Sequence, residues 1–418
     1  MNDPWPVHVQ RIDIPSTLDG TLQPSLHYSP PSSNKSDTPA HCRPLLIALH
    51  TWSVDYSHGS NNNNNNNKRI RSSSCEQVLF AEWCIRHEWH FLYPNFRGPN
   101  HHPDACGSDL AVQDVLDAVD YVSSLSSSTT TADVATTAVG AVDRDRIYVV
   151  GVSGGGHMAL LLAGRHPQRW AGVSAWCAIA DIATWWRERH EASLPNNKID
   201  DDEHGNELSL SLQQQQHRHK AWTKYARMIE LVLDGQTPVE CPTSCAARSP
   251  VTYLAAAGDG GGVPGGVNLD IHAGIDDGRT GSVPISHSLI AFNAVVPASE
   301  RLRPEFISEF YRTQQVPTTT TTNFTPEQQG EFLVAGAARN DNTEMQQRQH
   351  QQQTRRIHFR RHYKNTRVTI FQGGHEILHV QALNWLSQQR RNQSAVWDIP
   401  HDQMDWFHVK NGQSQSGI

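Results

Sequence analysis

Gly151-Val152-Ser153-Gly154-Gly155 joins an apolar run, Ile147-Tyr148-Val149-Val150, to a run of helical character that begins His157-Met158-Ala159-Leu160-Leu161. A G-x-S-x-G string between a strand and a helix predicts a nucleophile elbow, the sharp turn that lifts a serine hydroxyl above the edge of a sheet. Gly151 and Gly155 fit that turn because a side chain at either place would meet tightly folded backbone. A serine hydroxyl is a poor nucleophile at neutral pH, so the rest of the chain must supply a base, an acid and donors for a developing oxyanion. In an α/β-hydrolase the order along the chain is Ser, then Asp or Glu, then His.

Outward from the elbow, strand-like and helix-like segments alternate. Pro44-Leu45-Leu46-Ile47-Ala48-Leu49 reads as a strand buried on both faces. Residues 75–89 read as a helix, Phe91-Leu92-Tyr93 as a strand, and Asp109 opens an amphipathic helix with Leu110, Val112, Val115, Leu116, Val119 and Val122 on one side. After the elbow, strands are predicted at 171–176, 267–273 and 368–371, and helices at 285–295 and 380–388. Repeated β-α units of this length predict an α/β class chain with the α/β-hydrolase fold: a mostly parallel sheet with helices on both faces. The expected core covers about 43–181 and 249–390 of one domain spanning 1–418.

Residues 182–248 break the rhythm. They carry Trp185-Trp186, an acidic stretch at Asp200-Asp201-Asp202-Glu203 and an amphipathic segment from Lys220 to Leu233, with Gly235 as a stop signal. Two readings stand: a small helical cap inserted over the site, or a helical excursion packed on the sheet edge. Tracts of Asn (61–67), Ser/Thr (123–137), Gln (213–216 and 346–353) and Thr (318–322) cannot bury enough apolar surface to fold, so loops are expected near 58–74, 123–140, 196–217 and 314–356.

The chemistry follows from strand ends. Residues 267–273 lead into Gly274-Ile275-Asp276-Asp277-Gly278, where Asp276 or Asp277 suits the triad acid; Asp270, inside the strand, is a third candidate. The strand at 368–371 leads into Gln372-Gly373-Gly374-His375, which makes His375 the expected general base. One oxyanion donor is expected at the N–H of Gly154, and a second at Thr51 or Trp52 in the loop after Leu49. His375-Glu376-Ile377-Leu378-His379 also spells the H-E-x-x-H of zinc hydrolases, an alternative that needs these five residues on one helix.

Composition narrows the partners. The net charge of −7 comes from 35 basic and 42 acidic residues without a basic stripe, which argues against nucleic acid. Seven cysteines without metal-type spacing (Cys241 and Cys245 come nearest) fit reduced thiols and no metal or other cofactor. The N-terminal residues do not read as a signal peptide, and no apolar run approaches a membrane span, so a cytoplasmic protein with no membrane partner is expected. The expected partner is a small-molecule ester or short peptide substrate.

Leu49-His50-Thr51-Trp52, Asn95-Phe96-Arg97-Gly98-Pro99-Asn100, Gly151-Val152-Ser153-Gly154-Gly155-Gly156-His157, Ser249-Pro250, Asp276-Asp277 before Val283-Pro284, and Gly373-Gly374-His375 together resemble the catalytic domain of the prolyl oligopeptidase type. The likeness spans about residues 43–390 apart from the tracts. It implies a serine hydrolase working through an acyl-enzyme, with Ser153, an aspartate of the 276–277 pair and His375 as triad. That family carries a large N-terminal propeller, whereas about 40 residues precede the first expected core strand here. Compact relatives of this kind are often carboxylesterases, so a carboxylic ester is favoured over a small peptide or amide bond. A serine peptidase is the alternative, and a non-catalytic binding protein on the same fold is a further one.

Overall fold

Strand β3 (Arg43–Leu49) shows why the sheet forms: Leu45, Ile47 and Leu49 join one apolar cluster while Leu46 and Ala48 join another on the opposite face. A strand covered on both faces must be apolar, and from Pro44 to Leu49 this one is. The computed structural model describes residues 5–31, 42–57, 73–125, 140–191, 223–255, 263, 266–317, 330–334, 353–400 and 403–405. The Asn tract, the 213–216 Gln tract and the Thr tract lie outside them, as does most of the Ser/Thr stretch and of the second Gln tract.

The ten-stranded sheet also contains β1 (Gln10–Pro15), β2 (Leu22–Tyr28), β4 (His90–Pro94), β5 (Val142–Val152), β6 (Gly172–Trp176), β7 (Asn268–Gly274), β8 (Gly330–Val334), β9 (Gln353–Tyr363) and β10 (Thr366–Phe371). Its order is β1-β2-β4-β3-β5-β6-β7-β10-β9-β8. The strands from β4 through β10 in that order run parallel, and antiparallel pairs flank them on both sides. Helices α1 (Ser73–Arg86) and α10 (His379–Gln388) pack on one face; α2 (Asp109–Leu125), α3 (Gly154–Arg165), α8 (Ile285–Val295) and α9 (Pro304–Thr313) pack on the other. This is the α/β-hydrolase architecture expected from the alternation of segments.

Two parts differ from expectation. The sheet begins at Gln10, well before the first strand read from the sequence, because β1 and β2 pair antiparallel onto β4. The stretch at 314–356, expected to be a loop, contains β8 and the start of β9. β9 is rich in arginine and histidine and reads as a strand only once β10 lies beside it.

Parallel pairing brings the strand ends to one edge. Leu49 pairs with Gly151, Val152 with Trp176, Trp176 with His272, and Gly274 with Phe371. The residues that follow β3, β5, β6, β7 and β10 therefore leave the sheet side by side, at the carboxyl ends where open α/β sheets build their sites. Above this edge lie α4 (Ile182–Glu191), a helix at 223–232 termed α5, and α6 (Pro242–Arg248); α7 (Pro250–Leu254) follows. Their apolar residues cluster with Trp52, Cys106 and Val283 from the loops beneath.

Candidate active site

Ser153 stands at the junction of β5 and α3 with φ 59° and ψ −120°, in the left-handed region that a serine occupies only when its surroundings enforce it. Its N–H donates to the Trp176 carbonyl at 2.9 Å and its own carbonyl accepts from the His157 N–H at 2.9 Å, so the strained turn is held at both ends. A methyl group on Gly151 would meet the Gly155 backbone, and one on Gly155 would meet the Leu49 carbonyl. The two glycines let helix and strands close on the serine, as the motif predicts.

His375 lies in the loop after β10. Its Nδ1 donates to Asp277 Oδ2 at 2.8 Å, which assigns that nitrogen the proton and makes Nε2 the acceptor nitrogen of the ring. Asp277 is fully buried; its other oxygen accepts the N–H groups of Gly278 at 2.9 Å and Val283 at 3.2 Å. Backbone bonds lock the two loops together, Ile275 N–H to Phe371 O at 2.8 Å and Asp276 N–H to Gly373 O at 2.9 Å. Of the two aspartates left open by the sequence, Asp277 is therefore the one that meets His375. Asp276 turns to Gln314, whose Nε2 donates to its Oδ1 at 2.8 Å. Asp270 belongs elsewhere: it pairs with Arg367 at 2.6 Å and His272 at 2.9 Å under the sheet.

Gly154 begins α3, so its N–H is one of the unpaired donors at a helix start. A methyl on Gly154 would fall 2.5 Å from the Trp52 backbone nitrogen, which brings the second donor loop against the elbow at Trp52 and not at Thr51. Thr51 instead offers its carbonyl to His50 Nδ1 at 3.0 Å. The Trp52 ring is buried and meets Trp185 edge-on, with centroids 4.8 Å apart.

Trp185 also ties the overlying helices to the acid. Its Nε1 donates to the Ser282 carbonyl at 2.8 Å, and the N–H of that same peptide unit, on Val283, donates to Asp277. Glu188, one turn further along α4, accepts from His287 Nε2 at 3.0 Å and from Ser286 Oγ at 3.2 Å, fastening α4 to α8. The described parts of 182–248 thus pack on the loops of the site itself.

Cys177 was not singled out by the sequence. It follows β6 at φ 46°, and its sulfur lies 3.8 Å from the Gly374 carbonyl and 3.6 Å from that of Glu376. Burial first, and then the neighbouring Asp277 carboxylate, push the thiol well above its usual range, so it stays neutral. Among the described residues, Cys177, Asp277 and His375 form the one group close enough to share a metal ion, and it excludes Glu376 and His379. The zinc alternative also fails on its helix: α10 starts at His379, while Glu376 Oε1 accepts from Gly374 N–H at 3.2 Å. His375 and His379 do not lie one turn apart on one helix.

Residues 111–243, from α2 through the elbow into α6, match the prolyl oligopeptidase family. This segment is similar to the prolyl oligopeptidase type. The match agrees with the resemblance read from the sequence. The matched segment contains Ser153 and Gly154 but ends before Asp277 and His375. No curated protein matches the chain by sequence. Among solved structures, an acylaminoacyl peptidase from Pyrococcus horikoshii is similar at 13% identity, covering 69% of this chain and 34% of its own, with a TM-score of 0.41. The S-formylglutathione hydrolase of Staphylococcus aureus is similar at 15% identity, covering 64% of this chain and 80% of its own, with a TM-score of 0.37. The chain spans about a third (34%) of the length of the acylaminoacyl peptidase. Among the described residues, no helix is long and apolar enough to cross a membrane.

Proposed function

We propose that the chain is a serine hydrolase that cleaves a carboxylic ester of a small acyl group through an acyl-enzyme. Ser153 Oγ attacks the ester carbonyl while His375 Nε2 takes its proton. Asp277 holds the imidazole by Nδ1 and offsets the positive charge that forms on it. The N–H groups of Gly154 and Trp52 receive the oxyanion. The intermediate collapses, the C–O bond to the alcohol breaks, and His375 returns the proton to the leaving alkoxide. Water, deprotonated by His375, then attacks the acyl-serine and the carboxylic acid departs.

The observation that carries this reading is the 2.8 Å bond between His375 and Asp277, on loops leaving the same sheet edge as Ser153. Trp185 packs against Trp52 at 4.8 Å and against Tyr225 at 5.2 Å between ring centroids, an aromatic cluster over the proposed oxyanion loop that favours a small acyl group. The family match favours a second reading, a serine peptidase. Fluorophosphonate labelling at Ser153, followed by turnover of p-nitrophenyl acetate against aminoacyl-anilides, tests both. Preferential anilide cleavage selects the peptidase, and a folded protein that does not label removes both. Six of the seven cysteines, Cys42, Cys84, Cys106, Cys177, Cys241 and Cys245, are free thiols, which supports a reducing compartment such as the cytoplasm.

A further inference from the structure

The loop after β4 carries a buried polar side chain with one end satisfied and one end open. Asn100 is 1% exposed. Its Oδ1 accepts the Cys106 N–H at 2.9 Å, which fixes which end of the carboxamide is nitrogen. Its Nδ2 finds no acceptor among the described residues. Buried amide donors are nearly always paired, so an unpaired one beside a reaction centre points to a partner that arrives with the substrate.

The location of that nitrogen is specific. A methyl on Gly154 would lie 2.9 Å from Asn100 Nδ2 and 2.5 Å from the Trp52 nitrogen, so both nitrogens border the space beside the residue that follows the nucleophile. Glycine at 154 keeps that space clear. The surroundings hold Asn100 firmly: its backbone N–H donates to the Trp52 carbonyl at 2.8 Å, joining the two loops. At the near end of its own loop, Arg97 binds Asp114 at 2.6 Å and Asp19 at 2.7 Å, tying the loop to α2 and to the β1–β2 turn. His50 Nε2 contacts the Asn95 carbonyl at 2.7 Å.

We propose that Asn100 is a third oxyanion donor, delivering one Nδ2–H to the carbonyl oxygen of the tetrahedral intermediate beside the N–H groups of Gly154 and Trp52. The inference rests on the serine hydrolase reading above. A tetrahedral oxyanion has three lone pairs, whereas the ester carbonyl has two and little charge, so a fixed third donor gains strength as the oxygen becomes negative. Its contribution therefore falls on kcat and not on KM.

The test uses the full chain with p-nitrophenyl acetate and a trifluoromethyl ketone as a tetrahedral-adduct probe. Asn100→Asp keeps the shape and the acceptor for Cys106 but replaces the N–H with a charged oxygen, and Asn100→Ala removes the group. In both, kcat is expected to fall about 100- to 1000-fold, with KM and the melting temperature close to wild type and ketone affinity reduced in parallel. Turnover within about threefold of wild type, in a variant that melts like wild type, overturns the proposal. A merely structural role would lower the melting temperature without producing that split between kcat and KM. Where a variant unfolds, the structure of the wild-type ketone adduct decides: Nδ2 within about 3.2 Å of the adduct oxygen supports the assignment, and a greater separation overturns it. Wild-type protein that fails to label with a fluorophosphonate sinks the hydrolase reading itself; wild-type labelling with unaffected Asn100 variants sinks this inference alone.

Discussion

Asp277 and His375 meet across the ends of neighbouring parallel strands, Oδ2 to Nδ1 at 2.8 Å, with the carboxylate buried and its second oxygen held by two backbone N–H groups. Asp276, its immediate neighbour, points to Gln314. Adjacent aspartates with such different surroundings make a sharp mutational contrast. Asp277→Asn presents His375 with an amide and removes the charge that offsets the imidazolium, and kcat is expected to fall about 10⁴-fold. Asp276→Asn should stay within about threefold of wild type. Equal, mild losses in p-nitrophenyl acetate turnover would remove Asp277 from the triad.

Ser153→Ala removes the nucleophile from a turn whose strain comes from the backbone. Turnover is expected to fall about 10⁶-fold and fluorophosphonate labelling to vanish. The melting temperature should hold or rise, because alanine makes no demand on the turn that serine does not. His375→Ala should lower turnover to nearly the same floor, and the double variant should be no worse than either single one, because triad members act as a unit.

Gly281→Ala probes the acid and base together without touching either. A methyl there would strike the Asp277 carboxylate and lie 2.5 Å from His375 Cβ. Because the neighbours are the triad pair, the displacement is expected to cost at least about 100-fold in kcat, since misplacement by about 1 Å has that effect. Full activity in Gly281→Ala would mean that this loop adjusts freely.

Acid should destabilise the fold early. Burial lowers His157, His27 and His90 from 6.5 to about 4. His157 gives its Nε2 proton to the Arg248 carbonyl at 2.8 Å, while Ser29 Oγ lies 2.8 Å from His27 and 3.0 Å from His90. Between those two values the unfolded chain binds protons that the folded chain does not. Stability is therefore complete above about pH 6.5 and declines as the pH falls toward 4, by about 1.4 kcal/mol per pH unit for each histidine. Urea midpoints measured across this range should show the slope, and His157→Gln should lower it by about one proton. An unchanged slope would mean that His157 titrates normally in the fold.

The parts of the sheet that were legible in the sequence are those whose residues declare their surroundings. The run Pro44–Leu49 of β3 is apolar because both faces are covered, and the helix expected at 285–295 is found as α8 (Ile285–Val295). The flanking strands were not legible. Gln10–Pro15 is largely exposed and Gln353–Tyr363 is largely basic; each becomes a strand by pairing with a partner distant in sequence. β5 starts at Val142 and not at Ile147 because Asp143, Arg144, Asp145 and Arg146 extend a strand that no apolar pattern announces.

The site shows the same division. The elbow and His375 carry local signatures, but Asp276 and Asp277 are the same residue type in the same turn, and only the fold around Gly274–Gly278 decides which one is buried. Cys177 has no motif at all, and Asn100 closes the Asn95–Asn100 string without a role that the string announces. They are brought to the site by the ends of β4 and β6, which only the strand order could reveal.

Trp185 and Asp277 share a single peptide unit: the indole N–H holds its carbonyl at Ser282, and its N–H at Val283 holds the carboxylate. A peptide is rigid and planar, so its two ends cannot move independently. An acyl group long enough to push the indole aside would tilt that plane and take a donor away from the aspartate. Substrate length would then register as a loss of proton-transfer competence, with binding largely preserved. The helices above the site would act as a gauge of what lies beneath them.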